Sequence, residues 1–321
     1  MRFSHPVDIK ILRAVDEGLS STPKSLPSWL FYDETGDKLF QSIMKLPQYY
    51  LTRSEYEILQ SHKERMLAYF KIKDEPFSLI ELGAGDGVKT EVLIQYFVSN
   101  NVNFNYLPVD ISASVLELLR NKLTSKFPAL DVNPLRLHYE DSLKSLTDDQ
   151  TRKVVLFLGA NIGNYTIEGA QHFLYQLAAD FTSKDLLLIG FDLKKNPQVI
   201  LNAYNDPAGV TRQFNMNLLE RLNRELDADF KLSNFIHYPV YHPVSGTAES
   251  YLISTCDQEI YIDALRKTFT FSAWETIHTE VSQKYDLEMI THMISKAGFE
   301  IVDRFFDRKQ MFCDVLLQLQ R

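Results

Sequence analysis

The stretch Ser78-Leu79-Ile80-Glu81-Leu82-Gly83-Ala84-Gly85-Asp86-Gly87 decides how this chain is read. Ser78–Leu82 is a short apolar run, and Val88–Val98 then carries apolar residues at helical spacing. The glycines therefore join a strand to a helix. Glycine lets the backbone turn tightly and approach a ligand, while the first N–H groups of the helix point at it. A dinucleotide fingerprint requires G-x-G-x-x-G, but here the glycines fall as G-x-G-x-G and Val88 occupies the position of the third one.

Downstream, the pattern repeats. Asn105–Asp110 reads as a second strand, Ala113–Lys126 as a helix and Leu135–Tyr139 as a third strand. Val154–Leu158 is wholly apolar, as a parallel strand buried on both faces requires. A helix over Glu168–Asp180 and a strand over Asp185–Phe191 follow. Such alternation predicts βαβ units on a parallel sheet, hence an α/β doubly wound, Rossmann-like fold. Regularity stops after Asp192. Pro197 and Pro207 precede a helix through Met216–Leu226, and Phe235–Tyr241, Tyr251–Thr255 and Glu259–Ile262 read as an antiparallel patch. The core resumes with a helix over Leu287–Ala297 and a closing hairpin, Glu300–Phe306 and Met311–Leu317, which predicts one antiparallel strand near the sheet's C-terminal edge. Upstream, residues 1–70 read as mostly helical, with Ser54–Phe70 free of Gly and Pro. The expected organisation is a core at 71–192 and 286–321, and an α+β second lobe at 1–70 and 193–285.

Composition narrows the class. The chain has 321 residues, is 45% hydrophobic and carries a formal charge of −8, so it can bury a large core but lacks the basic run that nucleic acid or an anionic membrane would require. Its two cysteines, Cys256 and Cys313, have no metal or CxxC spacing, which fits a reducing compartment. Asp8 interrupts any hydrophobic region of a signal peptide, and no apolar run is long enough to cross a bilayer. The expectation is a cytoplasmic, monomeric chain acting on a small molecule, without nucleic acid or membrane partners.

Polar residues at the strand ends suggest the chemistry. Asp110 closes the second strand, well placed for a bidentate bond to ribose hydroxyls. Val154–Asn164 runs from an apolar strand into the polar loop Gly159-Ala160-Asn161-Ile162-Gly163-Asn164, at the sheet edge where open α/β folds bind ligands. His237 and His242 are five apart in a strand and face opposite sides, so no metal site is expected from them. No Ser/His/Asp order or carboxylate pair suggests hydrolysis.

The acid-then-G-x-G-x-G turn resembles motif I of class I S-adenosylmethionine (SAM) methyltransferases. The wider resemblance is more specific. It is carried by the aromatic stretch PSWLFYDETGDKLFQSIMKLPQYYLTRSE, ELGAG, FLGANIGN, Ala203–Thr211 with Phe214-Asn215, and Glu280–Tyr285, in that order. Together they resemble the histidine-specific Nα-methyltransferase family of ergothioneine biosynthesis, which includes fungal relatives acting on tryptophan derivatives. The resemblance spans nearly the whole chain.

The resemblance implies SAM as co-substrate, held by Gly83, Gly85, Lys89, Asp110, Asp141 and Ser142. It implies that Asn164 and Tyr204 hold the amino acid's α-amino and carboxylate end, and that Tyr32 lies near the reacting amine, where either it or a water path accepts the proton. Tyr49, Glu280 and Ser282 would surround the substrate side chain. Ser250 departs from the pattern, standing where the histidine enzymes carry a methionine. Being smaller and polar, it would leave a roomier pocket or hold a water against the ring. The expected reaction is stepwise methylation of an amino acid's α-amine, histidine first, to Nα,Nα,Nα-trimethylhistidine. Alternatives are another amino acid or amine, such as a tryptophan derivative, and a SAM-binding module without catalysis. Val88 argues against a nicotinamide oxidoreductase.

Overall fold

The computed structural model describes residues 8–73, 75–137 and 151–320. The chain forms two compact units, 50–195 with 283–321, and 1–49 with 196–282.

The larger unit is built on a seven-stranded sheet. In chain order its strands are β1 (Phe77–Leu82), β2 (Phe104–Asp110), β3 (Leu135–Arg136), β4 (Arg152–Phe157), β5 (Leu186–Asp192), β6 (Phe299–Phe306) and β7 (Phe312–Leu319). Their spatial order is β6-β7-β5-β4-β1-β2-β3. Pairings from β3 through β5 are parallel, whereas β7 runs antiparallel to both β5 and β6. The single reversed strand expected near the C-terminal edge is therefore β7. Every residue of β1 and of β5 is buried, as befits strands covered on both faces. The helices of this unit are α1 (Tyr50–Phe70), α2 (Thr90–Ser99), α3 (Ala113–Lys126), α4 (Ile167–Ala179) and α5 (Leu287–Lys296). One core cluster runs from Ile80 and Leu82 through Phe157, Phe173 and Ile189 to Ile294 and Val315.

The smaller unit has helices at Ile9–Ser20, Glu34–Met44, Pro197–Tyr204 and Val210–Leu226. Its four-stranded sheet has the order Lys24–Ser25, Thr276–Gln283, Thr247–Ser254, Phe235–His242. Thr247–Ser254 alternates strictly between half-buried and buried residues, as a strand with one face on a core must. Helix Val210–Leu226 starts where Asp206 accepts the backbone N–H groups of Val210 and Thr211, at 3.0 and 2.7 Å. Helix Glu34–Met44 is capped by Asp33, which accepts from Gly36 N–H at 2.7 Å and from Asn217 Nδ2 at 2.9 Å and pairs with Arg224. Leu30, Phe31, Phe214, Leu219, Leu252 and Ile277 belong to its core.

Three readings change. The helix expected in the substrate lobe, Ser54–Phe70, starts at Tyr50 and belongs to the larger unit, where it packs against β7 and buries Ile58, Leu59 and Met66. The antiparallel patch is divided, because Gln258–Ile262 leaves it to pair with Lys267–Phe271. The third strand ends at Arg136, and its expected continuation beyond Leu137 lies outside the described residues.

Candidate active site

In the larger unit, the turn after β1 has the form its glycines require. Gly83, Gly85 and Gly87 have φ of 76°, 54° and 64°, all in the left-handed region. A Cβ on Gly87 would meet Leu119 Cδ1 at 2.4 Å, whereas one on Gly85 would meet nothing within 4 Å. Gly87 thus permits helix packing, while Gly85 borders open space.

Asp110 ends β2 beside this turn. One carboxylate oxygen accepts Gly85 N–H at 3.0 Å and the other accepts Ser112 N–H at 3.0 Å. Burial raises its carboxyl above the ordinary value, against the hydrogen bonds from Ser112 and Gly85. An ionised carboxylate has about four acceptor positions, so further capacity remains for two hydroxyl donors. The open space over Gly85 and this oriented carboxylate fit the ribose end of SAM. Glu81, the acid opening the motif, serves differently. It is buried, accepts the Thr90 hydroxyl at 2.5 Å and the Tyr106 hydroxyl, and so ties α2 and β2 to β1. Burial pushes its carboxyl up to about 7.

Lys89 lies at the start of α2, where its ammonium pairs with Glu55 from α1. Glu55 also accepts Gly159 N–H through both oxygens at 2.8 Å, and Gly159 opens the loop after β4. That loop carries left-handed Gly159 and Ala160 and a short 3₁₀ turn, Asn161–Asn164, which leaves Asn164 exposed. Tyr285 donates to Ile162 O at 3.2 Å behind it. Asp141 and Ser142 lie outside the described residues.

In the smaller unit, four expected substrate residues meet in pairs. Tyr204, at the end of its helix, donates to Ser282 Oγ at 2.8 Å, and both residues are buried. Ser250 donates to Glu280 Oε2 at 3.0 Å. Glu280 and Ser282 are two apart on one strand and so share a face. Thr279, between Glu280 and His278, donates to Ser250 O at 3.0 Å and to Asn215 Oδ1 at 3.1 Å. The preceding residue on that helix, Phe214, anchors the aromatic stretch. Tyr32 stands edge-on to Phe214 and to Phe40, with centroids at 5.8 and 5.7 Å, and Tyr49 stands edge-on to Phe40 at 6.2 Å. Helix Val210–Leu226 thus carries both groups.

The sequence assigns no role to Glu55, the last residue of the aromatic stretch, or to the buried Thr279. Neither lies in a glycine turn or at a strand end. Asn215 was quoted only as part of a motif; its reason is the bond to Thr279. His237 is half-buried, and the loss of solvent around its ring lowers it to about 4, while His242 reaches Glu249 at 3.1 Å. Among the described residues, no group of three or more His, Cys, Asp or Glu is placed to hold a metal ion, and no helix is long and apolar enough to cross a membrane.

Comparison with known proteins bears on both halves of this geometry. Histidine N-alpha-methyltransferase of Mycobacterium tuberculosis is 34% identical over 90% of this chain and 89% of its own length. The enzyme of the same name from Mycolicibacterium smegmatis is 35% identical over 89% and 88%. Ergothioneine biosynthesis protein 1 of Schizosaccharomyces pombe is 29% identical over 87% of this chain, which spans 37% of that longer protein. The glycine turn with Asp110 and the paired strands that carry Ser250 and Glu280 all fall within residues 11–319, and that whole span matches one family. The chain is a methyltransferase and belongs to the histidine-specific, SAM-dependent methyltransferase family.

Proposed function

We propose that this enzyme transfers methyl groups from SAM to the α-amine of L-histidine, releasing S-adenosylhomocysteine (SAH) and ending at Nα,Nα,Nα-trimethylhistidine, a step of ergothioneine biosynthesis. The observation that carries the choice of substrate is the pairing of Ser250 with Glu280 across adjacent strands, beside Ser282, which the helix residue Tyr204 holds. A carboxylate oriented in this way accepts a ring N–H, and histidine supplies one.

When bound, SAM supplies a methyl group on a sulfonium leaving group. The protein's part is alignment, since holding two reactants in line can supply roughly 7–11 kcal/mol of a barrier. Gly83, Gly85, Asp110 and Lys89 bind the donor, with Asp141 and Ser142 assigned to its adenosine by resemblance. Asn164 and Tyr204 hold the α-amino and carboxylate end of the amino acid, Glu280 accepts the ring N–H, and Ser282 and Tyr49 complete the side-chain pocket. The amine must be neutral to attack. Tyr32 or a water path takes its proton before each transfer.

The test is a mass-spectrometric screen of the proteinogenic amino acids and histamine with SAM. Mono-, di- and trimethylated histidine are expected, with little product from the others. Efficient trimethylation of a different amino acid, with histidine untouched, would overturn the histidine assignment and leave amino-acid N-methylation standing.

A further inference from the structure

A buried charged cluster in the larger unit joins three segments around Glu55. Its carboxylate lies on α1, is fully buried, and receives both the Lys89 ammonium and the Gly159 amide. The packing leaves it little freedom. A Cβ on Gly190, in β5, would lie 2.2 Å from Glu55 Oε1 and 3.2 Å from Asp314 Oδ1, so glycine there makes room for both acids. Asp314, in β7, is buried with neither carboxylate oxygen hydrogen-bonded among the described residues. Burial, and then the charge of Glu55, hold its carboxyl well above the ordinary value, against the charge of Lys89. On Lys89, burial favours the neutral amine, but the charge and hydrogen bond of Glu55 outweigh it and keep the ammonium protonated.

An ammonium has three donors, and Glu55 takes one. Gly159 stands close by: a Cβ on it would lie 3.1 Å from Lys89 Nζ. One carboxylate therefore fixes both a cation at the start of α2 and the first residue of the loop after β4. We infer that Glu55 is a positioning residue of the methyl-donor site, holding the Lys89 ammonium and the Gly159 loop so that Lys89 presents its remaining donors to the carboxylate of SAM. This inference rests on the assignment of Lys89 to SAM. Glu55 itself touches neither reactant in this scheme.

The test measures binding of SAH and of 5′-methylthioadenosine, which keeps the nucleoside thioether but lacks the amino-acid carboxylate. Wild type, Glu55→Gln, Glu55→Asp and Lys89→Met are titrated by calorimetry, with melting curves in the absence of ligand to confirm folding. Glu55→Gln is expected to weaken SAH by about tenfold or more, the scale of one hydrogen bond to a charged group, while leaving methylthioadenosine unchanged. Glu55→Asp, which keeps the charge on a shorter arm, should recover part of the loss. It also provides the comparison with wild type if Glu55→Gln does not fold. Equal weakening of both ligands would overturn the inference, since a merely structural role acts on both. Unchanged SAH affinity in Glu55→Gln, with Lys89→Met weakened, would also overturn it while sparing the Lys89 assignment. Unchanged SAH affinity in Lys89→Met would instead remove that assignment, and the inference with it.

Discussion

The Ser250 hydroxyl donates to Glu280 Oε2 at 3.0 Å, and Ser250 is fully buried. A residue read from sequence as opening room or holding a water instead commits its one donor to the carboxylate beside it. Ser250 belongs to the buried face of its strand with Ala248 and Leu252, and the adjacent strand carries Glu280.

Removing that donor should therefore impair histidine turnover. For Ser250→Ala we expect kcat/KM for histidine to fall roughly 3- to 10-fold, the scale of one neutral-donor bond, with SAH affinity unchanged. Ser250→Met loses the same bond and should not improve on wild type. Glu280→Ala should cost far more, because a site built around a substrate N–H discriminates by up to about 10⁴. Competition between histidine and tryptophan measures all three, and Ser250→Met exceeding wild type on histidine would show that the bond has no role in recognition.

Tyr204 provides a second test in the same unit. Its hydroxyl bonds Ser282, and in the proposed function it also faces the substrate's carboxylate. Tyr204→Phe should raise KM for histidine with SAH affinity intact, costing about 1–3 kcal/mol for the polar group left unpaired. Histamine, without a carboxylate, should be poor with wild type and should lose little further in the variant. Comparable turnover of histamine and histidine by wild type would remove Tyr204 from carboxylate binding.

The parts legible in sequence were those with a local signature. A fully apolar run such as Val154–Phe157 has one reading in an α/β chain, and the glycines at 83, 85 and 87 need left-handed backbone that other residues resist. The strand Lys267–Phe271 pairs with the strand just before it, but it was missed because the connection Asp263-Ala264-Leu265-Arg266 holds no Gly or Pro to mark the turn, Arg266 itself taking the left-handed backbone. Glu55 was invisible for a different reason. On α1 it is one acid among many, and only the folded chain brings it to Gly159, 104 positions away. Resemblance supplied Tyr204, Ser250 and Glu280, and it offered no account of why Asn215 or Thr279 should be there.

Asp110 holds the glycine turn through Gly85 as well as facing the expected ribose. Asp110→Ala should weaken SAH at least about tenfold, by loss of charge-assisted bonds, and should also lower the melting temperature, because two backbone donors lose their acceptor. Asp110→Asn keeps one carbonyl acceptor and should retain more of the stability than of the affinity. Unaltered calorimetric affinity for SAH in both variants would place the donor elsewhere.

Asp192 is the centre of a different network. It is fully buried and accepts the Tyr50 hydroxyl at 3.0 and 2.8 Å, pairs with Lys284 at 3.0 Å and also pairs with Lys195. Burial opposes its ionisation, but the charges of Lys284 and then Lys195 outweigh that and hold its carboxyl below the ordinary value. A carboxyl held low contributes stability that is present above its ordinary value and lost as pH falls through the folded one. Asp192→Asn leaves the buried Lys284 and the half-buried Lys195 facing a neutral amide and should cost about 3–5 kcal/mol at neutral pH. Denaturant titration at pH 7 and near pH 3 should show this difference shrinking in acid. A constant difference would remove the ionic account.

Glu81 should act in the opposite sense. Its carboxyl is raised from an ordinary 4.5 to about 7 because burial outweighs the hydrogen bonds from Thr90 and Tyr106. Between those two values the folded chain binds a proton that the unfolded chain has released. Stability attributable to Glu81 is therefore full below the ordinary value and declines as pH rises toward the folded one, by up to about 3 kcal/mol at 1.36 kcal/mol per unit. Glu81→Gln cannot ionise. Its carbonyl can accept one hydroxyl, and its amide can donate to the other, because the Thr90 and Tyr106 hydroxyls can rotate to accept. The variant should fold and, between pH 5 and pH 8, lose stability less steeply than wild type. Its advantage should grow with pH through the region near 7. Parallel stability curves for the two proteins would mean that Glu81 is ionised throughout, paired with the positive charge of Lys89 more strongly than its burial opposes.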